Sequence, residues 1–255
     1  MKTPVAAILL GIVCAANAQL EVLPAETGQA AFAGTVIPLS VLFHNPGTRV
    51  LKSPLRLRLY AAGSDLAAPL GNVRDWKTLE VLPGQTVLEK ISLPMPAVRQ
   101  KTPVLVQWLD DSNRAIGRTD VTVYPTNLLQ ALRPLTAQKP IGISDSDGAL
   151  NRLLSPAGLE TSPIANFDGK LAAFLSPPDE LRKDIERLAN AGAAVIWIKI
   201  GPTREIYCAP YGKGAVAILQ LPNLDALNSD PLAQLDLIRA AELAAKSNTP
   251  LFANH

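Results

Sequence analysis

The chain has 255 residues, enough for one large domain or two ordinary ones. Its 48% hydrophobic and 18% charged content excludes a disordered polyelectrolyte, and a net charge of +2 offers no electrostatic footprint for nucleic acid or an anionic membrane surface. Of two cysteines and two histidines, Cys14 lies in the segment read below as a signal, which leaves three, too few for a four-ligand zinc site of the Cys/His type.

Residues 1–18 read as a secretory signal. Lys2 supplies the positive start, and Val5 to Ala15 is an apolar run too short to span a bilayer. Ala16-Asn17-Ala18 is a small-x-small cleavage site that leaves Gln19 as the new N-terminus. Cys14 lies inside the apolar run, behind Ile12-Val13, which does not fit a lipoprotein site. No later stretch is long and apolar enough for a transmembrane segment, so an exported protein, periplasmic or secreted, is expected. After cleavage Cys208 has no intramolecular partner and reads as a packed thiol.

Residues 19–125 carry a period of two. Leu55, Leu57 and Leu59 alternate with Arg56, Arg58 and Tyr60, and Val121 and Val123 alternate with Thr122 and Tyr124. His44-Asn45-Pro46-Gly47, Leu82-Pro83-Gly84-Gln85 and Asp111-Ser112-Asn113 punctuate them as turns. Short strands with such turns predict an all-β sandwich. Trp108 has core parity, whereas Trp76 lies among polar residues and is the better candidate to stack on a sugar. Residues 126–139 read as a linker with a helical turn at Leu128–Leu132.

From residue 140 the rhythm changes. Ile141-Gly142-Ile143 is a short strand running into Ser144-Asp145-Ser146-Asp147-Gly148, and a helix follows, ended by Gly158. Leu171 to Leu175 is a second strand. Ser176-Pro177-Pro178-Asp179 then forms a capping box for a helix whose apolar stripe is Leu181, Ile185 and Leu188. Ala194 to Ile200 is a continuous apolar strand of the kind covered on both faces, and Ala215 to Leu219 is another. Asp230-Pro231 opens the last helix. Alternating strands and helices predict an α/β domain with a Rossmann/flavodoxin-like parallel sheet. No Gly-rich fingerprint follows the first strand, so no nicotinamide or other cofactor is expected.

Residues 19–125 resemble bacterial immunoglobulin-like domains of the cell-adhesion-related and fibronectin-like type. The residues that carry this are Leu39-x-Val41-x-Phe43-x-Asn45-Pro46-Gly47, Leu82-Pro83-Gly84-Gln85, Trp108 and Val121-x-Val123-Tyr124-Pro125. Residues 140–255 are similar to degenerate class I glutamine-amidotransferase-like domains. There the likeness rests on Ala189-x-Ala191-Gly192-Ala193-Ala194-Val195-Ile196, Tyr211-Gly212-Lys213-Gly214-Ala215-Val216-Ala217 and Asp230-Pro231-x-x-Gln234. That family places a nucleophilic Cys in a glycine elbow, with a downstream His and acid. Cys208 has no such elbow, and the histidines after the signal are His44 and His255. The resemblances imply a non-catalytic binding or assembly protein of the cell envelope, with a protein or glycan partner.

Two site readings follow. Ligands of open α/β sheets bind beyond the carboxyl ends of the strands, which selects Ser144, Asp145, Asp147, Ser176 and Gly201. Alternatively, Asp145-x-Asp147-Gly148 resembles the first motif of haloacid-dehalogenase-type phosphatases, which implies a magnesium-dependent reaction with Asp145 as nucleophile and Asp147 as acid/base. Its remaining parts are faint: Ser176 for the phosphate, an early Lys199, and Asp225 and Asp230 as loose third acids. The plain reading of the same string is a helix cap in which an Asp satisfies amides of the first turn.

Overall fold

The structure is a computed structural model and describes residues 19–23, 28–63, 66–175 and 182–247. The expected signal, the Ser176–Asp179 capping box and His255 lie outside the described residues.

The first half supplies nine strands: β1 (Glu21–Leu23), β2 (Gln29–Phe32), β3 (Val36–His44), β4 (Leu51–Ala62), β5 (Ala67–Pro69), β6 (Arg74–Val81), β7 (Thr86–Pro94), β8 (Thr102–Leu109) and β9 (Ala115–Tyr124). One sheet has the order β1-β3-β7 and a second the order β2-β9-β8-β4-β5, with β6 also on β4. The alternation of β4 is realised: Leu55, Leu57 and Leu59 are buried, while Arg56, Arg58 and Tyr60 are half-exposed. Each buried Leu contributes about 1.5–3 kcal/mol relative to an exposed one.

The second half carries β10 (Ile141–Ser144), α1 (Ala149–Leu154), β11 (Thr161–Pro163), β12 (Leu171–Leu175), α2 (Arg182–Asn190), β13 (Ala194–Ile200), β14 (Glu205–Tyr211), β15 (Gly214–Leu221), α3 (Ala226–Ser229) and α4 (Pro231–Ser247). Its sheet runs β11-β10-β12-β13-β15-β14, parallel except for the last strand. Both faces are covered, which is why β13 reads as unbroken apolar sequence. Ile196 and Ile198 pack with Leu237 and Ala241 of α4, and Val195 packs with Ile185 and Leu188 of α2. Residues 126–139, read as a linker, hold a 3-10 helix at Leu128–Thr136 with Leu129 and Leu132 buried.

These sheets correct the expected fold class, an all-β immunoglobulin-like sandwich followed by a Rossmann/flavodoxin-like domain. In the first half β2 pairs in parallel with Val121–Tyr124, so the β-rich part is not a purely antiparallel sandwich. The chain also divides into two compact units that interleave in sequence. One holds the described residues of Met1–Thr27, Pro38–Ser92 and Val104–Asp120; the other holds those of Gly28–Ile37, Leu93–Pro103 and Val121–His255. In the second half, helical crossovers join β10 to β11 and β12 to β13 only. A 3-10 turn at Ile164–Asn166 leads from β11 to β12, and β13, β14 and β15 follow without a helix between them. The result is three sheets, two of mixed strand direction. The pairings responsible are set by contacts far apart in sequence, which local periodicity does not encode. Among the described residues no helix is long and apolar enough to cross a membrane.

The candidate crevice and its surroundings

Strand β10 ends at Ser144 and delivers Asp145 to a tight turn. One carboxylate oxygen of Asp145 accepts the N–H of Asp147 at 2.9 Å, and the other accepts the N–H of Leu150 at 2.6 Å. Leu150 is the second residue of α1, so Asp145 satisfies an amide that the helix leaves open. Gly148 takes the left-handed backbone between them, at φ 65°. Ser146 donates its hydroxyl to Asp147, and the Arg152 guanidinium donates to the Asp147 carbonyl at 2.7 Å. This is the cap reading of the string.

A crevice of about 180 Å³ opens beyond the carboxyl ends of β10, β12 and β15. Its walls include Asp147, Leu150, Arg152, Leu175, Asp225 and Asn228. Of the five expected residues, Asp147 lines it. Asp145 supports it from behind as the cap, and Ser144 is the half-buried last residue of β10. Gly201 is a packing glycine: its N–H donates to the Leu221 carbonyl, and a side chain there would meet Gln220. Ser176 is outside the described residues. Arg152 and Asn228 escaped the sequence reading, although the strand-end rule applied to β15 leads to the loop that holds Asp225 and Asn228. The crevice is small beside the 300–1,000 Å³ typical of ligand pockets. Among the described residues no group of three His, Cys, Asp or Glu side chains is placed to hold a metal ion.

The remaining candidates fall into structural roles. Cys208 is half-buried on β14 and packs against the core, with the Ser247 hydroxyl 3.8 Å from its sulfur. His44 shares a hydrogen bond with the Thr86 hydroxyl at 3.0 Å. Trp76, expected in an exposed polar loop, sits on β6 with its ring 5.9 Å from that of Phe43 and 5.2 Å from that of Trp108. Its stacking face is therefore committed to the core. The charged face of α2 pairs internally, Arg182 with Glu186 and Arg187 with Asp184. Gly212-Lys213 is the turn of the β14–β15 hairpin.

A second concavity, about 250 Å³, lies between β14 and α4. Arg204 closes one end, bonded to Asp230 at 2.9 Å and to Asp236 at 2.8 Å. On the strand, the Tyr207 hydroxyl donates to Glu205, which with the Thr203 hydroxyl holds the Glu205 carboxyl below its ordinary range and pushes the Tyr207 phenol up.

No protein-family model and no curated protein matches the chain. Solved structures resemble it loosely, over 42% of its length. An alkylpurine DNA glycosylase of Pseudomonas fluorescens is 13% identical, with a TM-score of 0.33 over 31% of that chain. A β-glucosidase of Listeria innocua is 12% identical, at 0.32 over 16% of that chain. A CARDB domain from Pyrococcus furiosus is 16% identical, at 0.28 over 88% of that chain. The chain spans under a third of the first two, and likenesses of this order carry no argument about its function.

Proposed function

We propose that this is an exported, non-catalytic binding or assembly protein of the bacterial cell envelope, acting through a protein or glycan partner. The observation that carries the reading is the engagement of Asp145. Both of its oxygens accept backbone amides, so the sequence's most catalytic-looking carboxylate serves a turn and a helix start. A nucleophilic carboxylate is aimed at the reacting centre, whereas both oxygens of Asp145 are aimed at backbone amides of its own turn and helix. Cys208, for the same conclusion, has the Ser247 hydroxyl as its hydrogen-bonding neighbour among the described residues. Export is inferred from residues 1–18, whose charge, apolar run and small-residue site match a signal.

The test has two arms. Tagged protein, cross-linked in an envelope extract, should enrich a partner over a size-matched control; silence from folded protein would count against the binding reading. Wild type and Asp145→Asn should show the same background with p-nitrophenyl phosphate and magnesium. Activity that vanishes with the substitution would replace the binding reading by a phosphatase.

A further inference from the structure

We propose that the outer face of the β4–β8 pair receives an acidic segment of a partner protein, one carboxylate of which is taken by the guanidinium of Arg58. The inference rests on the binding reading above and gives it a surface.

Arg58, Tyr60, Leu105 and Gln107 form one block on that face. Arg58 lies opposite Gln107 and Tyr60 opposite Leu105 in the antiparallel register, which sets the four side chains on the same side of the sheet. Leu57, Leu59, Val106 and Trp108 alternate with them and fill the buried side. All four residues of the block are half-buried. The Arg58 guanidinium lies over the Tyr60 ring, 5.4 Å from its centroid. That stacking holds the planar fork in place but accepts none of its N–H groups in the ordinary way. Nε of Arg58 is buried without a partner. Among the described residues the Arg58 guanidinium, the Gln107 carboxamide and the Tyr60 hydroxyl form no hydrogen bond. A donor withdrawn from water and left without an acceptor is unfavourable, and an incoming acceptor relieves it.

The charges select the occupant. The block itself holds a single charge, that of Arg58. Around it the cations of the same face are already matched, Lys52 with Glu80, Arg56 with Asp75 and Arg118 with Asp120. Asp111, in the turn after β8, presents its carbonyl to Arg56. Arg58 is thus the arginine of this face without a carboxylate among the described residues. An arginine fork sets two N–H groups against the two oxygens of a carboxylate. The Gln107 carboxamide beside it can donate to the same group or accept an N–H of the segment that carries it. The rings favour a protein over a sugar. Tyr60 gives its ring face to Arg58, and Trp76 and Trp108 pack on each other, so no ring of β4, β6 or β8 is open to stack on a sugar. Arginine and tyrosine are also residue types that carry binding energy at protein interfaces.

The experiment follows the Nε–H signal of Arg58 in the isotopically labelled full chain. The titrants are the capped peptide Thr-Glu-Val-Glu-Thr, the same peptide with Gln in place of each Glu, and glucuronate. The acidic peptide should shift the signal saturably and slow its exchange with water; the Gln peptide and glucuronate should leave it in place. Arg58→Met should weaken the acidic peptide about tenfold or more, and Arg58→Lys should restore little, since a point charge lacks the fork. Arg58→Met keeps an apolar stem on Tyr60 and removes the unpartnered Nε, so its melting point should equal or exceed that of wild type. A lower melting point would make Arg58 a structural residue and overturn the proposal. So would an equal response to the two peptides, or a signal indifferent to both. A response to glucuronate alone would overturn it in favour of an acidic glycan. If Arg58→Met recovers the envelope partner undiminished, this surface fails while the binding reading stands; if the acidic peptide binds through Arg58 but no envelope partner is recovered, the reverse holds.

Discussion

Asn45 and Gly84 join two turns that are 39 residues apart. The Gly84 N–H donates to the Asn45 carbonyl at 2.9 Å, and the Asn45 N–H donates to the neighbouring Gln85 carbonyl at 3.0 Å. The Asn45 side chain, fully buried, donates to the carbonyls of Arg49 and Val81 and accepts the N–H of Gly47. One amide side chain thus satisfies three backbone groups that sit where strands end. The turns Asn45-Pro46-Gly47 and Pro83-Gly84-Gln85 thus complete each other's hydrogen bonds.

Asn45→Ala should therefore be among the most damaging single changes in the first half. It strands buried carbonyl and amide groups, each costing about 1–3 kcal/mol. A urea midpoint lowered by the equivalent of about 3 kcal/mol is expected. A loss within 0.5 kcal/mol, the range of an ordinary surface change, would show that the two turns do not depend on each other.

Gly214→Ala probes the other half. A side chain at Gly214 would run into the carbonyl oxygens of Ala193 and Ala189, and one at Gly212 would run into Asn190, whose backbone cannot yield. The hairpin end therefore packs directly on the end of α2, and both glycines are needed for close approach. Gly214→Ala should cost about 1–3 kcal/mol, as overpacking does, while exposed Lys213→Ala should stay near neutral. Thermal melts of the two variants give the comparison; equal melting points would show that the hairpin can lift off the helix.

Much of this was legible because it is local. The period of two in β4 and the unbroken apolar runs of β12 and β13 state their own burial, and the Asp145 string states its own cap. What was not legible depends on distant partners. Trp76 sits among charged residues and reads as loop; it is half-buried on β6, at the point where the register with β4 shifts, with its ring beside those of Phe43 and Trp108. The parallel pairing of β2 with the end of β9 joins residues 92 positions apart, beyond any turn signal. The place of strand β14 at the sheet edge follows only from the strand order. The concavity beside it was not legible for the same reason: Arg239 and Ile206 line it from two elements that the sequence does not bring together.

Asp145 gives a prediction that separates capping from chemistry. Asp145→Ala removes acceptors from the amides of Asp147 and Leu150 and should destabilise the protein by about 0.5–2 kcal/mol, the usual cost of a lost cap. Asp145→Asn keeps one acceptor and should lose less. Urea denaturation reads the order wild type, Asn, Ala. An Asn variant as stable as wild type but altered in ligand binding would assign Asp145 to the crevice rather than to the helix.

Asp110 sets a pH dependence. Burial alone raises its pKa, but the bonds it accepts outweigh that. Its carboxylate takes the Arg114 N–H at 2.8 Å, the Arg114 guanidinium at 3.0 Å and the Ser112 N–H at 3.0 Å, and these hold the group below its ordinary 3.8. The charged form is the one the fold stabilises. A depressed folded-state pKa contributes stability that is fully present above the unfolded value, about 3.9, and is lost as the pH falls through the folded value. Wild type should therefore lose stability on acidification below about pH 4, beyond what Asp110→Asn loses over the same range. Asp110→Asn should already be weaker at pH 7, since it gives up the charge-assisted bonds to Arg114. Urea midpoints of both proteins from pH 7 to pH 3 test this. Parallel curves would mean that the β8–β9 turn takes no stability from the ionised carboxylate, and that Ser112 and Arg114 are held by their own backbone alone.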